Sequence, residues 1–229
     1  MPQCNHKISN TSYTAIYIIE SFDKTQNAYG ILAYGKYLCE DIESYKKSNK
    51  LYNIPCYHEQ LHNKEQWDEL WNKIEDKCQK GESPILHFIC HGKPEGLKVV
   101  NEIIPWNEVL EKLRNINEIT QNVYVTMNVC YSASICEFLM QIKRDNPFRG
   151  CICADGPVIM ANSPSEPRFL SFYESLITEQ NIEKAINVFR EKIKLEKGKA
   201  QENKWVILSK DIDNMSYNIE NLEIKCENS

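Results

Sequence analysis

The chain has 229 residues, 42% hydrophobic and 26% charged. At about 150 residues per domain, that is one globular core with some excess, and it excludes disorder as the main state. Lys+Arg 27 against Asp+Glu 32 leaves a net charge of -5, which excludes a chain-wide positive field for holding nucleic acid or an anionic membrane. No apolar run approaches the roughly 18 residues of a membrane span, and Met1 to His6 lacks the apolar core of a secretory signal, so the expected location is the cytoplasm with no membrane partner.

Strand-like and helix-like segments alternate, the pattern of a mostly parallel sheet with helices on both faces. Tyr13 to Ile19 is β-branched and aromatic and reads as a strand, followed by a helix from about Gly30 to Tyr45 with Ile31, Tyr34, Leu38 and Ile42 at helical spacing. Leu51 to Tyr57 is a second strand. Asn63 is placed to cap a helix whose apolar face carries Trp67, Leu70, Trp71 and Ile74, ending at Gly81-Glu82-Ser83-Pro84. Ile85 to Gly92 is apolar on both faces, as central parallel strands are, and ends in His91-Gly92. Leu97 to Val100 and Glu102 to Ile104 form a hairpin around Asn101, and Trp106 to Ile116 a helix. Asn122 to Cys130 is the next strand and Ser132 to Ile142 its helix. Gly150 to Ala154 is a strand, helices follow at Glu166 to Ile177 and Ile182 to Leu195, and Trp205 to Ser209 closes the sheet. The domain thus covers residues 12–209, and residues 210–229 read as a polar, loosely docked tail.

Ten cysteines sit inside apolar strands and amphipathic helices, so most read as small buried hydrophobes rather than as a disulfide framework. There is no Cys-x-x-Cys, and neither Cys151/Cys153 nor Cys90/His91 has ligand spacing, so no metal is expected. His87 reads as a satisfied strand histidine and His58 and His62 as surface residues. The residues that point to chemistry are His91 and Cys130, each at the carboxyl end of a strand, where open α/β sheets place their sites. About 39 residues separate them, enough for a right-handed crossover that makes their strands neighbours. A helix starting just after Cys130 would favour its thiolate, and the N–H groups of Gly92 and Cys130 could form an oxyanion hole.

The ordered set of segments resembles the CHAT group of caspase-like cysteine peptidases, clan CD. The match lies in Leu86-His87-Phe88-Ile89-Cys90-His91-Gly92, in Val123 to Ser132 with Cys130, and in the hairpin and helix from Gly96 to Leu110. It continues in Gly156-Pro157-Val158, where such domains often have Trp-Pro-Val, and in the helix pair around Phe169 to Leu176 and Ile182 to Ala185. The resemblance implies a caspase-like three-layer α/β sandwich, His91 as general base, Cys130 as nucleophile and Gly92 in the oxyanion hole. It implies hydrolysis of peptide bonds in a protein substrate through a thioester, with no cofactor. It also implies latency until an activating protein, ligand or self-cleavage orders the site, and a setting in bacterial defence against phage.

The Gln-Ala-Cys-Arg-Gly signature is absent, so aspartate at P1 is not implied. Asp155, after the strand that follows Cys130, is the candidate for binding a Lys or Arg side chain at P1. Its alternative is a turn residue in Asp155-Gly156-Pro157. Two other classes compete: an inactive caspase-like module that binds a protein partner, and a flavodoxin-like nucleotide binder. The last lacks both Gly-x-Gly-x-x-Gly and a Gly-Lys-Ser/Thr loop.

Overall fold

The computed structural model describes residues 13–22, 33–51, 54–141, 146–158, 167–195, 204–211 and 216–222. In chain order they form β1 (Ala15–Ser21), α1 (Tyr34–Asn49), β2 (Cys56–Gln60), α2 (Lys64–Gln79), β3 (Pro84–Lys93), β4 (Gly96–Val99), β5 (Glu102–Pro105), α3 (Trp106–Thr120) and β6 (Tyr124–Val129). A 3-10 turn (Ser132–Ser134) leads into α4 (Ile135–Gln141), then β7 (Gly150–Asp155), α5 (Pro167–Glu179), α6 (Ile182–Leu195), β8 (Lys204–Asp211) and β9 (Ser216–Leu222). The sheet order is β2-β1-β3-β6-β7-β8-β9, with β4 and β5 a hairpin added to the end of β3. β2, β1, β3, β6 and β7 are parallel; β8 pairs antiparallel with β7, and β9 antiparallel with β8, so that β9 again runs in the direction of the parallel set.

Alternation along the central strands divides the core into two layers. Leu86, Phe88 and Cys90 of β3 and Val125, Met127 and Val129 of β6 face Trp67, Trp71 and Ile74 of α2 and Val109, Leu110 and Leu113 of α3. Ile85 and Ile89, with Ile16 and Ile18 of β1, face Leu38 and Ile42 of α1, Phe169 and Phe172 of α5 and Phe189 of α6. At roughly 1.5–3 kcal/mol for each large apolar side chain buried, these two layers hold the strands in register. The result is the expected three-layer sandwich. Among the described residues no helix is long and apolar enough to cross a membrane.

Local chemistry accounts for most boundaries. Asn63 accepts the Gln66 N–H at 2.8 Å and starts α2 as its sequence demands. The second strand begins later than Leu51: the Leu51 N–H bonds to the Lys46 carbonyl, so that residue finishes α1, and pairing with β1 starts only at Cys56. The helix expected from Gly30 starts at Tyr34 within the described residues, and Ile31 lies outside them. The sheet does not end at Ser209. Ser216–Leu222, inside the segment read as a polar tail, pairs with β8 from Trp205↔Leu222 to Asp211↔Ser216. Its polar alternation suits a strand at a sheet edge rather than one under a helix.

Candidate active site

β3 and β6 are paired in parallel register up to Cys90↔Val129, so the next residues, His91 and Cys130, occupy adjacent positions at the carboxyl edge of the sheet. β3 continues through Lys93 because β4 folds back on it, pairing His91↔Lys98 and Gly92↔Leu97. Gly92 is therefore extended strand. Its missing Cβ serves a close approach: a methyl there would lie 2.1 Å from the Cys130 carbonyl oxygen and 2.4 Å from Val129 Cγ1. Gly92 and Cys130 are thus in backbone contact.

His91 is half-buried, with its ring edge-on to Phe22 at 5.3 Å between centroids. Burial holds its pKa below the ordinary 6.5, and the nearby Lys98 ammonium adds to the shift, so the imidazole is kept neutral and able to accept a proton. The Cys130 sulfur accepts the Val158 N–H at 3.3 Å, a bond that strengthens when the sulfur is anionic. Tyr131 adopts a left-handed conformation (φ 56°) and donates its N–H to the Gly156 carbonyl at 2.7 Å, and buried Ser132 accepts the Ala154 N–H at 2.8 Å. The turn after β6 is thereby stitched to the end of β7 and the loop beyond it. The helix expected from Ser132 is observed as a 3-10 turn at Ser132–Ser134 that leads into α-helix over Ile135–Gln141 within the described residues, so regular helix begins only at Ile135 and not directly after the thiol.

Asp155 is exposed at the end of β7, at the same sheet edge. Strand alternation puts it on the Cys151/Cys153 side, facing the α2/α3 layer, whereas His91 continues the Ile85/Ile89 side under α1 and α5. The structure therefore brings His91, Gly92 and Cys130 together and sets Asp155 at the same edge on the other face. His87 is fully buried. Its Nδ1 lies 2.6 Å from Thr126 Oγ1, which lies 2.9 Å from the Tyr173 hydroxyl, while its Nε2 has no partner and burial lowers its pKa to about 3. His58 is a surface residue only in part, since its Nε2 lies 2.8 Å from the buried Glu20 carboxylate.

Sequence reasoning missed Asn128. It is 1% exposed, shares the face of Thr126 and His87, and leaves both its amide oxygen and nitrogen without a partner. The signal was a polar side chain inside an otherwise apolar strand, two residues before Cys130. It also missed the Val158 N–H, which only the return of the chain past β7 brings to the sulfur. Among the described residues no group of three or more His, Cys, Asp or Glu is arranged to hold a metal ion. Cys78, Cys90, Cys151 and Cys153 are buried as expected, while Cys39, Cys56, Cys130 and Cys136 are half-exposed.

No protein-family model matches the sequence, and no curated protein matches it. The fold is matched by a secreted C11 cysteine protease from Bacteroides thetaiotaomicron, iotapain, with a TM-score of 0.55 and 8% sequence identity over 86% of this chain. The match spans 66% of that protein's chain. At this identity the likeness is one of fold: the chain has a caspase-like α/β architecture. It does not single out the CHAT group.

Proposed function

We propose that the protein is a caspase-like cysteine endopeptidase in which Cys130 is the nucleophile and His91 the general base. The observation that supports this most is the in-register arrival of His91 and Cys130 at one sheet edge, with Gly92 in backbone contact with Cys130. In this reading His91 takes the Cys130 proton and the thiolate attacks the scissile carbonyl. The N–H groups of Gly92 and Cys130 stabilise the oxyanion. Collapse of the tetrahedral species forms a thioester as His91 returns the proton to the leaving amine, and water then releases the acid. The Val158 N–H adds a donor to the thiolate.

Three finer parts of the proposal rest on the CHAT resemblance. They are membership of that group, latency until an activating protein or ligand engages a cytoplasmic enzyme, and a place in defence against phage. Asp155 as the P1 pocket residue is a separate proposal, and it requires the substrate to pass over the β7 end.

The test is a cleavage profile of a proteome-derived peptide library, with Cys130→Ala as control. Cuts that vanish in the control support the peptidase, and a Lys/Arg bias at P1 that is lost in Asp155→Asn supports the pocket. A catalytically inactive binding module predicts no Cys130-dependent cuts and an alkylation rate for Cys130 no faster than that of the half-exposed Cys136.

A further inference from the structure

Away from the site, α1 and β2 carry two half-exposed cysteines that face each other. The Cys39 thiol donates to the Cys56 backbone carbonyl at 3.6 Å, which sets the Cys39 side chain directly against Cys56. The surroundings are built around them. Glu43 accepts both the Cys56 N–H at 3.3 Å and the ammonium of Lys46 at 2.7 Å, and Lys46 is 4% exposed.

We propose that Cys39 and Cys56 form a redox-active dithiol, oxidised by a hydroperoxide to a disulfide that staples α1 to the edge strand β2. The inference is independent of the peptidase reading.

The two sulfurs are unequal in a way that suits the chemistry. Interaction with Cys56 holds the Cys39 pKa below the ordinary thiol value, with Lys46 contributing, whereas interaction with Cys39 and burial push Cys56 up. Cys39 is thus the attacking thiolate and Cys56 the resolving thiol. The Cys39 sulfur attacks one peroxide oxygen: an S–O bond forms, the O–O bond breaks, and the departing hydroxide or alkoxide takes a proton. Cys56 then attacks the sulfenic sulfur: the S–S bond forms, the S–O bond breaks, and hydroxide leaves with the Cys56 proton as water. Two electrons pass from the thiols to the peroxide. By contrast, Cys136 and Cys153 both have their thiols pushed up and Cys153 is wholly buried, so they offer no comparable thiolate.

The staple would close a loop of about 17 residues, which by chain-entropy arguments raises the unfolding midpoint of a domain this size by roughly 6–12 °C. The experiment treats the full chain with graded hydrogen peroxide, blocks free thiols with iodoacetamide and maps cysteine peptides by mass spectrometry. The expected result is a Cys39–Cys56 cross-linked peptide with the loss of two hydrogens, appearing before any other disulfide and reversed by dithiothreitol. The melting point should rise with it. Cys39→Ser and Cys56→Ser, each checked for a native melting point when reduced, should both abolish the cross-link and the rise. In Cys56→Ala, which removes the neighbouring polar group, the alkylation of Cys39 should slow several-fold. Free thiols at both positions after oxidation elsewhere, or cross-links of either to other cysteines, would overturn the proposal.

Discussion

Gly92→Ala probes the contact on which the site depends. The new methyl would sit 2.1 Å from the Cys130 carbonyl oxygen and 2.4 Å from Val129 Cγ1, about 1 Å short of ordinary contact. The oxygen belongs to backbone and cannot swing aside, so β3 and β6 must part at their carboxyl ends. Overpacking of this kind costs about 1–3 kcal/mol, and a backbone obstacle puts it near the top of that range. For a chain of this length, about 3 kcal/mol lowers the melting point by roughly 6–12 °C. The same displacement of about 1 Å between His91 and Cys130 should slow Cys130-dependent cleavage about 100-fold per folded molecule. Gly150→Ala is the control. Its methyl would meet the Tyr124 ring at 2.5 Å and the Leu208 oxygen at 3.0 Å at the opposite end of β7, so it should lower the melting point and spare the rate. Differential scanning fluorimetry and peptide cleavage read the two effects. A Gly92→Ala protein with wild-type melting and cleavage would refute the reasoning.

Three further outcomes follow from buried polar groups. Because burial and Lys98 depress the His91 pKa, the acid limb of kcat/KM in the free enzyme should lie below pH 6.5, and Lys98→Met should move it upward; a limb above 6.5 in the wild type would contradict the burial argument. His87, neutral in the fold to a pKa of about 3 against 6.5 unfolded, contributes stability that is full above pH 6.5 and lost as pH falls toward 3, at about 1.4 kcal/mol per pH unit. Urea titrations at pH 7 and pH 4 should show that loss, and His87→Gln should reduce it. Asn128→Leu removes an unpaired buried amide, so urea midpoints should rise by about 1–3 kcal/mol in stability, and a fall would mean the amide is paired in solution.

The alternation of strands and helices, the Asn63 cap and the apolar run of β3 were legible because each is written in local residue chemistry. His91 and Cys130 were legible for the same reason, since each ends an apolar strand and the crossover between them has room for one helix. β9 was not, because an edge strand with one exposed face looks like a polar tail until its partner is known. The start of β2 was hidden by the hydrogen bond that draws Leu51 back onto α1. The close approach at Gly92 was not legible, because its missing Cβ answers to an atom of another strand. The pairing of Cys39 with Cys56 was invisible, since it arises only when α1 packs on β2.

Strand parity carries the argument about specificity further than position along the chain does. Asp155 and Cys130 both end strands at one edge, and from sequence that proximity made Asp155 a pocket candidate beside its reading as a turn residue. Yet Asp155 continues the face of Cys151 and Cys153, and Asn128 continues the face that holds Thr126, His87 and the position of His91. A carboxylate on the first face reaches a substrate only around the end of β7. An amide on the second lies two residues before Cys130, and the two unmet hydrogen-bonding ends it keeps there are a cost that packing alone does not explain. If the P1 preference proves indifferent to Asp155→Asn, the face assignment already supplies the reason.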